Sequence, residues 1–453
     1  MNLIMTDQPV INPDAPPGSL EAKQPYVDNG VNRVDKDRYF SRDFMTLERE
    51  KVWPKAWLLA GVVSDISAVN DFFIFDIGGE SIIVTHTDQG IRAFHNVCSH
   101  RGTRLVQVER GNRKVFVCPY HRWSYGNNGE LRNITDQDTF REEVICDRPG
   151  LVSVACEILA GIIFVNMDEN PSPLREKIGL PEGYLEAYNI DSMKVVRHVR
   201  SEWAANWKVG VEAFYESYHL HAVHPETSGV MGDLNVQYDL YPHGASRMIV
   251  PIGQPSPRLH DQTTVNEGLQ FMLQDAGVDP AGFKGTAADV RGAIQVAKRE
   301  RAERLGLDYS KLLDSQLSDS WATGIFPNVQ IGCHPEGVFI MRFVPHETDP
   351  ERFYYDTMTL VLPIDDADSD YASPAWMGLP EDTDFSGKTR PDIEVVGVGD
   401  DARLGLVLSQ DSELLPVVQQ GMRSRAFRGQ LWGEQEQRLR HFHVELDRYL
   451  SAG

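Results

Sequence analysis

Cys98-Ser99-His100-Arg101-Gly102 and Cys118-Pro119-Tyr120-His121-Arg122-Trp123 are the two stretches on which the reading of this chain turns. The first holds Cys-x-His and the second Cys-x-x-His, with the seventeen residues 101 to 117 between them. Each half offers one thiolate and one imidazole from a tight loop. Two such loops brought together supply two sulfurs and two nitrogens. That donor set suits a [2Fe–2S] cluster with two thiolates on one iron and two imidazoles on the other. Replacing thiolate by neutral imidazole removes negative charge and raises the potential above that of a four-Cys cluster. Tetrahedral zinc also accepts two Cys and two His, but zinc fingers pair Cys with Cys and His with His. Here the two types alternate, and the Cys-x-His gap is too short for that pattern. Trp123 and Tyr120 are placed to shield the centre, and Gly102 and Pro119 to shape the loops.

Working outward, short β runs surround these loops: Phe72–Phe75, Ser81–Thr85, Ile91–Phe94, Val115–Val117 and Gly161–Val165. Turn signals at Gly78-Gly79 and Asp88-Gln89-Gly90 separate the first three. An all-β domain over residues 45–167 is expected, preceded by an arm and helix over 1–44, with the helix from Tyr39 to Trp53. Asn170-Pro171-Ser172-Pro173 marks the next boundary. Residues 168–453 mix helices (203–224, 287–305, 411–423, 435–450) with antiparallel strands over 324–362. The fold class is therefore α+β.

The 453 residues suit two domains. Lys and Arg number 44 against 66 Asp and Glu, a formal charge of −22, which excludes a nucleic-acid or anionic-membrane partner as the expectation. No apolar run reaches the roughly 18 residues needed to span a bilayer. The Asp- and Pro-rich start lacks the pattern of a secretory signal, so a cytoplasmic location is expected. Five cysteines in so long a chain do not resemble a disulfide framework. Within residues 101–122, six basic residues (Arg101, Arg104, Arg110, Arg113, Lys114, Arg122) face one acid, Glu109. The plain reading is a solvated loop face. The sharper one is a docking patch for an acidic electron donor.

A second constellation lies in Asn206-Trp207-Lys208 through Glu216-Ser217-Tyr218-His219-Leu220-His221-Ala222-Val223-His224-Pro225. Glu216 and His219 share a helix face. His219 and His224 are about 140° apart on an ideal helix, so the helix must loosen or end between them for both to meet one ion. Two imidazoles with one carboxylate from elsewhere make the facial triad of non-haem Fe(II) oxygenases, which leaves positions open for O2 and substrate. Spacing by itself leaves His221 as an alternative ligand.

Together the two motifs resemble the Rieske non-haem iron, or ring-hydroxylating, oxygenase large (alpha) subunits. The likeness rests on Cys-x-His-Arg-Gly, Cys-Pro-Tyr-His-x-Trp, Asn206-Trp207-Lys208 and Glu216-x-Tyr218-His219-x4-His224. The resemblance implies an N-terminal Rieske domain and a START-like catalytic domain of helices on an antiparallel sheet. Cys98, His100, Cys118 and His121 then hold the [2Fe–2S] cluster. His219, His224 and Asp411, in Gln410-Asp411 through Gln419-Gln420-Gly421-Met422, hold mononuclear Fe(II). Without the resemblance, Asp411 would read as a helix N-cap. Glu216 falls on the acid that bridges the iron site of one subunit to the Rieske histidine of the next. A homotrimer is implied, with or without a small beta subunit. Two departures are Ala213, where the family usually has Asn, and Arg122, where Gly is common.

The implied reaction is O2-dependent hydroxylation of a small organic, aromatic substrate by a dioxygenase. Electrons come from a ferredoxin or flavin reductase, because no Gly-x-Gly-x-x-Gly motif follows a strand and NAD(P)H must be oxidised elsewhere. The alternative is a monooxygenase or oxidative demethylase acting on an amine. From other classes, a Rieske electron carrier would need only the first third of the chain, and a zinc-stabilised binding protein would be colourless.

Overall fold

The computed structural model describes residues 9–364, 378–397 and 404–452. The chain divides into a contiguous unit, 47–176, and a second unit made of 1–46 with 177–453.

The contiguous unit is built from β1 (Leu58–Val62), β2 (Asp71–Ile77), β3 (Glu80–Thr87), β4 (Gly90–His95), β5 (Arg110–Asn112), β6 (Val115–Val117), β7 (Ser124–Gly126), β8 (Leu131–Asn133), β9 (Ser153–Leu159) and β10 (Ile162–Asn166). Seven of these form an antiparallel sheet in the order β1-β10-β9-β4-β3-β2-β5, and β6-β7-β8 form a small sheet of their own. The expected β runs all lie on or overlap these strands. Phe72, Ile83, Phe94, Phe116, Trp123 and Tyr125 pack into one core together with Cys98 and Cys118. Burying the two thiols in that core sets both loops on a rigid base.

The second unit is organised on β11 (Lys194–Trp203), β12 (Gln237–Leu240), β13 (Ser246–Val250), β14 (Ser320–Ile325), β15 (Val329–Cys333), β16 (Gly337–Pro345), β17 (Phe353–Val361) and β18 (Glu394–Val396). They form one sheet in the order β12-β13-β14-β15-β16-β17-β11-β18. Only the β11–β18 pairing is parallel among the described strands. Helix Trp207–Phe214 packs on β16 and its neighbours, and helix Leu406–Met422 packs on β11. Helices Glu267–Asp275 and Ala287–Leu305 enclose a smaller apolar core of their own around Leu269, Leu273, Val290 and Ile294. The N-terminal arm lies along this unit, with Ile11 N donating to Gln237 Oε1 at 2.8 Å and Gln24 N to Asp239 Oδ1 at 2.7 Å.

Two helical expectations need correction. The helix expected over 39–53 is a short 3-10 turn, Lys36–Tyr39, followed by Arg42–Lys51. The helix expected over 203–224 is three pieces: β11 runs to Trp203, Trp207–Phe214 is helical, and one further turn spans Leu220–Val223. Asn206 is extended and caps the helix by accepting from Lys208 N, which forbids continuity with the strand before it. None of the described helices is long and apolar enough to cross a membrane.

Candidate metal centres

In the contiguous unit, Cys98 and His100 follow β4, and Cys118 and His121 sit in the loop joining β6 to β7. The two loops close alike. Cys98 N donates to Thr103 O at 2.9 Å and Gly102 N to Cys98 O at 3.0 Å; Cys118 N donates to Trp123 O at 2.8 Å and Arg122 N to Cys118 O at 3.1 Å. The residue four on from each cysteine is left-handed, Gly102 at φ 72° and Arg122 at φ 63°. Gly fits that conformation freely, whereas Arg122 adopts it at a cost of about 1–2 kcal/mol.

Both thiols are buried, at 2% and 1% exposure, while the two imidazoles are half-exposed. The His100 and His121 rings are 4.7 Å apart, and His100 stacks on Trp123 at 4.7 Å and 8°. Tyr125 Oη lies 3.2 Å from Cys98 Sγ. Burial pushes the Cys98 thiol up. Burial acts on Cys118 in the same sense, but the N–H groups of Tyr120 and His121 outweigh it and hold that thiol below its usual range. Sulfur inside and receiving hydrogen bonds, with imidazole outside, matches the demands of a cluster whose two irons take different ligands.

In the other unit, the end of helix Trp207–Phe214 starts the second centre. Glu216 turns back on the chain after it: its Oε2 accepts from Tyr218 N and from His219 N, and its Oε1 lies 2.5 Å from His219 Nδ1. A carboxylate thus organises the break that the spacing required. His224 ends the next turn, with Nδ1 2.6 Å from Gln410 Oε1. Asp411 stands inside helix Leu406–Met422, not at its start, so it is no N-cap. Its Oδ1 lies 3.2 Å from His224 Nε2 and 3.8 Å from His219 Nε2.

His219, His224 and Asp411 present ligand atoms within 4.8 Å of one another, the one such group among the described residues. Each imidazole has Nδ1 engaged by a side-chain oxygen, which fixes the tautomer and aims Nε2 at the centre. Burial lowers the proton affinity of both rings, yet the net direction is upward, through Glu216 at His219 and through Asp411 and Gln410 at His224. Such a pocket favours a cation. His221 is exposed beside Tyr218, 6.0 Å ring to ring, and stands outside the group. Ala213 is half-buried.

Reading the sequence did not single out Gln410 as the partner of His224, nor Tyr125 as the partner of Cys98. Tyr125 lies on β7 two residues after Trp123, which immediately precedes the strand, and both side chains pack in the core. Gln410 gave no such signal.

A family model described as ring hydroxylating alpha subunit (catalytic domain) matches residues 190–452, and one described as Rieske [2Fe–2S] domain matches residues 56–149. Among curated proteins, the glycine betaine monooxygenase oxygenase subunit of Chromohalobacter salexigens is 36% identical over 44% of this chain and 44% of its own length. The carnitine monooxygenase oxygenase subunit of Escherichia coli is 34% identical over 45% and 54%, and the anthranilate 1,2-dioxygenase large subunit of Acinetobacter baylyi 30% over 43% and 43%. The matched stretch thus spans about half the length of these relatives. Solved structures share the fold over far more of the chain. A quaternary ammonium Rieske monooxygenase with L-carnitine aligns at TM-score 0.63 and 19% identity, covering 93% of this chain and 97% of that one. Naphthalene 1,2-dioxygenase with indole bound aligns at TM-score 0.64 and 19% identity, covering 94% and 93%.

Proposed function

This chain belongs to the ring-hydroxylating oxygenase alpha-subunit family, with a Rieske domain ahead of its catalytic domain, and from that premise we propose that it is the terminal oxygenase of a multicomponent system. The observation that carries the reading is the convergence of His219, His224 and Asp411, with both Nδ1 atoms tied back by Glu216 and Gln410.

Cys98, His100, Cys118 and His121 would hold the cluster, and His219 Nε2, His224 Nε2 and the Asp411 carboxylate the iron. When bound, the cluster relays single electrons and the iron supplies O2 activation. The chain's own share is to keep both imidazoles neutral at Nε2, to leave part of the coordination sphere to other ligands, and to shield the thiolates. Glu216 holds His219 and, in the assembled protein, faces the Rieske histidine of a neighbouring subunit in a head-to-tail trimer. Electrons enter from a separate ferredoxin or flavin reductase at the basic face around the Rieske loops, where Arg101 lies over the exposed Tyr120.

Two substrate readings follow. Dihydroxylation of an aromatic substrate is the reading the family name suggests, and the match to anthranilate dioxygenase supports it. Oxidation of a quaternary ammonium or other amine, with loss of an alkyl group, is supported by the glycine betaine and carnitine relatives. We favour the second. Metal and sulfide analysis with EPR of the dithionite-reduced protein tests the oxygenase reading: three irons and two sulfides per chain with a Rieske-type signal are expected. Asp411→Ala should keep that signal and lose turnover. Zinc in place of iron, or full turnover in the variant, would overturn it. NADH-coupled O2 uptake with a panel of arenes and betaines separates the two substrate classes.

A further inference from the structure

Tyr355, the third residue of β17, is fully buried, and its hydroxyl has no hydrogen-bond partner. Its ring stacks on Phe214 at 5.3 Å and 21° and lies 4.6 Å from Trp203. Phe214 ends the helix whose continuation carries Glu216 and His219. Across the sheet Tyr355 pairs with Ser201 of β11, the strand on which the Asp411-bearing helix packs. The Asp411 carboxylate is close enough to reinforce burial in keeping the phenol un-ionised. The surrounding aromatic cluster is completed by Phe343 and Phe353 and needs no oxygen at this point. A buried hydroxyl left unpaired is destabilising, and Phe at this position would avoid that. On Asp411, Oδ1 serves both imidazoles, which leaves the second oxygen to be fixed by something else.

We propose that Tyr355 is a positioning residue for the mononuclear centre: its hydroxyl donates, across one buried water, to the Asp411 oxygen turned away from the imidazoles and holds the carboxylate in its ligating orientation. The proposal rests on the iron-site reading above. The test uses protein stripped of its mononuclear metal with the cluster intact, dialysed against Co(II) as an air-stable probe. Tyr355→Phe should weaken Co(II) binding about tenfold, the scale expected for loss of a group that orients a ligand. Phe keeps the ring that stacks on Phe214, so Co(II) affinity reads the hydroxyl alone. Equal Co(II) affinity in the two proteins would overturn the proposal. Wild-type protein that binds no more Co(II) than His224→Ala is a separate outcome, which overturns the iron-site reading and the proposal with it.

Discussion

Tyr125 shows what one hydroxyl contributes. Its bond to Cys98 Sγ, at 3.2 Å, is worth more when the cluster carries an extra negative charge. Removing it should therefore disfavour reduction. Tyr125→Phe is expected to lower the Rieske potential by on the order of 50 mV, which corresponds to about 1.2 kcal/mol for one electron. Protein-film voltammetry of the purified variant reads this directly, and an unchanged potential would remove Tyr125 from the cluster's environment. The four residues proposed to hold the cluster could be picked out in the sequence because each Cys/His pair lies on a single loop, where spacing alone implies geometry. The hydrogen-bond donors were not, because Tyr125 reaches Cys98 across the fold from another strand. Arg122 lies between the two cases. Its departure from Gly was visible, but its left-handed backbone, and hence its cost, appears only in three dimensions.

Helix Trp207–Phe214 owes its position to a glycine. A Cβ on Gly210 would lie 2.7 Å from Phe353 Cζ and 2.8 Å from Phe343 Cδ1, so the helix rests closer to the sheet than any other residue allows. Gly in a helix interior costs about 1 kcal/mol relative to Ala, and the close approach offsets it. Asn206 anchors the near end: its Oδ1 accepts from Lys208 N at 3.0 Å, its Nδ2 donates to Pro350 O at 2.6 Å, and its backbone N–H donates to Gln419 Oε1 at 2.9 Å. Gln419 lies in the last turn of the Asp411 helix, so one bond ties that helix to the start of the helix that leads to His219. Gly210→Val should cost about 1–3 kcal/mol through overpacking and should lower iron content in the same preparation, as measured by urea denaturation alongside metal analysis. Loss of stability with iron content intact would show that the helix does not set the ligands. Here the sequence was misleading for a physical reason. Apolar residues continue through Tyr218, so periodicity suggests one helix, while the breaks are made by side-chain capping at Asn206 and Glu216.

At the scale of the whole molecule, the buried carboxyl of Glu212 joins three distant parts of the chain. Tyr39 Oη donates to its Oε1 at 2.6 Å from 173 residues away, and His443 Nε2 lies 2.8 Å from the same oxygen across 231 residues. Gln430 Nε2 reaches Oε2 at 3.2 Å. Burial pushes Glu212 from 4.5 up to about 8, against the opposing pull of Tyr39, Lys208, Arg38 and Gln430. Burial likewise holds His443 well below its ordinary value. The folded carboxyl thus keeps a proton that the unfolded chain has released between pH 4.5 and about 8. Stability linked to Glu212 therefore falls as pH rises through that window and levels off above it, with a slope of at most about 1.4 kcal/mol per pH unit. Glu212→Gln should flatten the fall while preserving the fold, which chemical denaturation at several pH values checks. A wild-type profile no steeper than the variant's would refute it. Domain class and the two motifs were readable from sequence, but this network was not, since nothing local marks Tyr39, Glu212 and His443 as neighbours.

The same stitching has a consequence for biosynthesis. Residues 47–176 form one uninterrupted compact unit, so everything it needs has left the ribosome once that stretch emerges. The unit around β11–β18 draws on the first arm and the last helix alike, and its Glu212 cluster is incomplete until His443 has been translated. Contacts so distant along the chain form late. The Rieske portion is thus free to mature on the nascent chain, whereas the unit that carries His219, His224 and Asp411 is completed only once residue 443 has emerged. Ribosome-stalled chains ending before residue 437, the start of the last helix, should resist protease over 47–176 and be cut within the remainder. Equal resistance of both portions would argue for an earlier assembly.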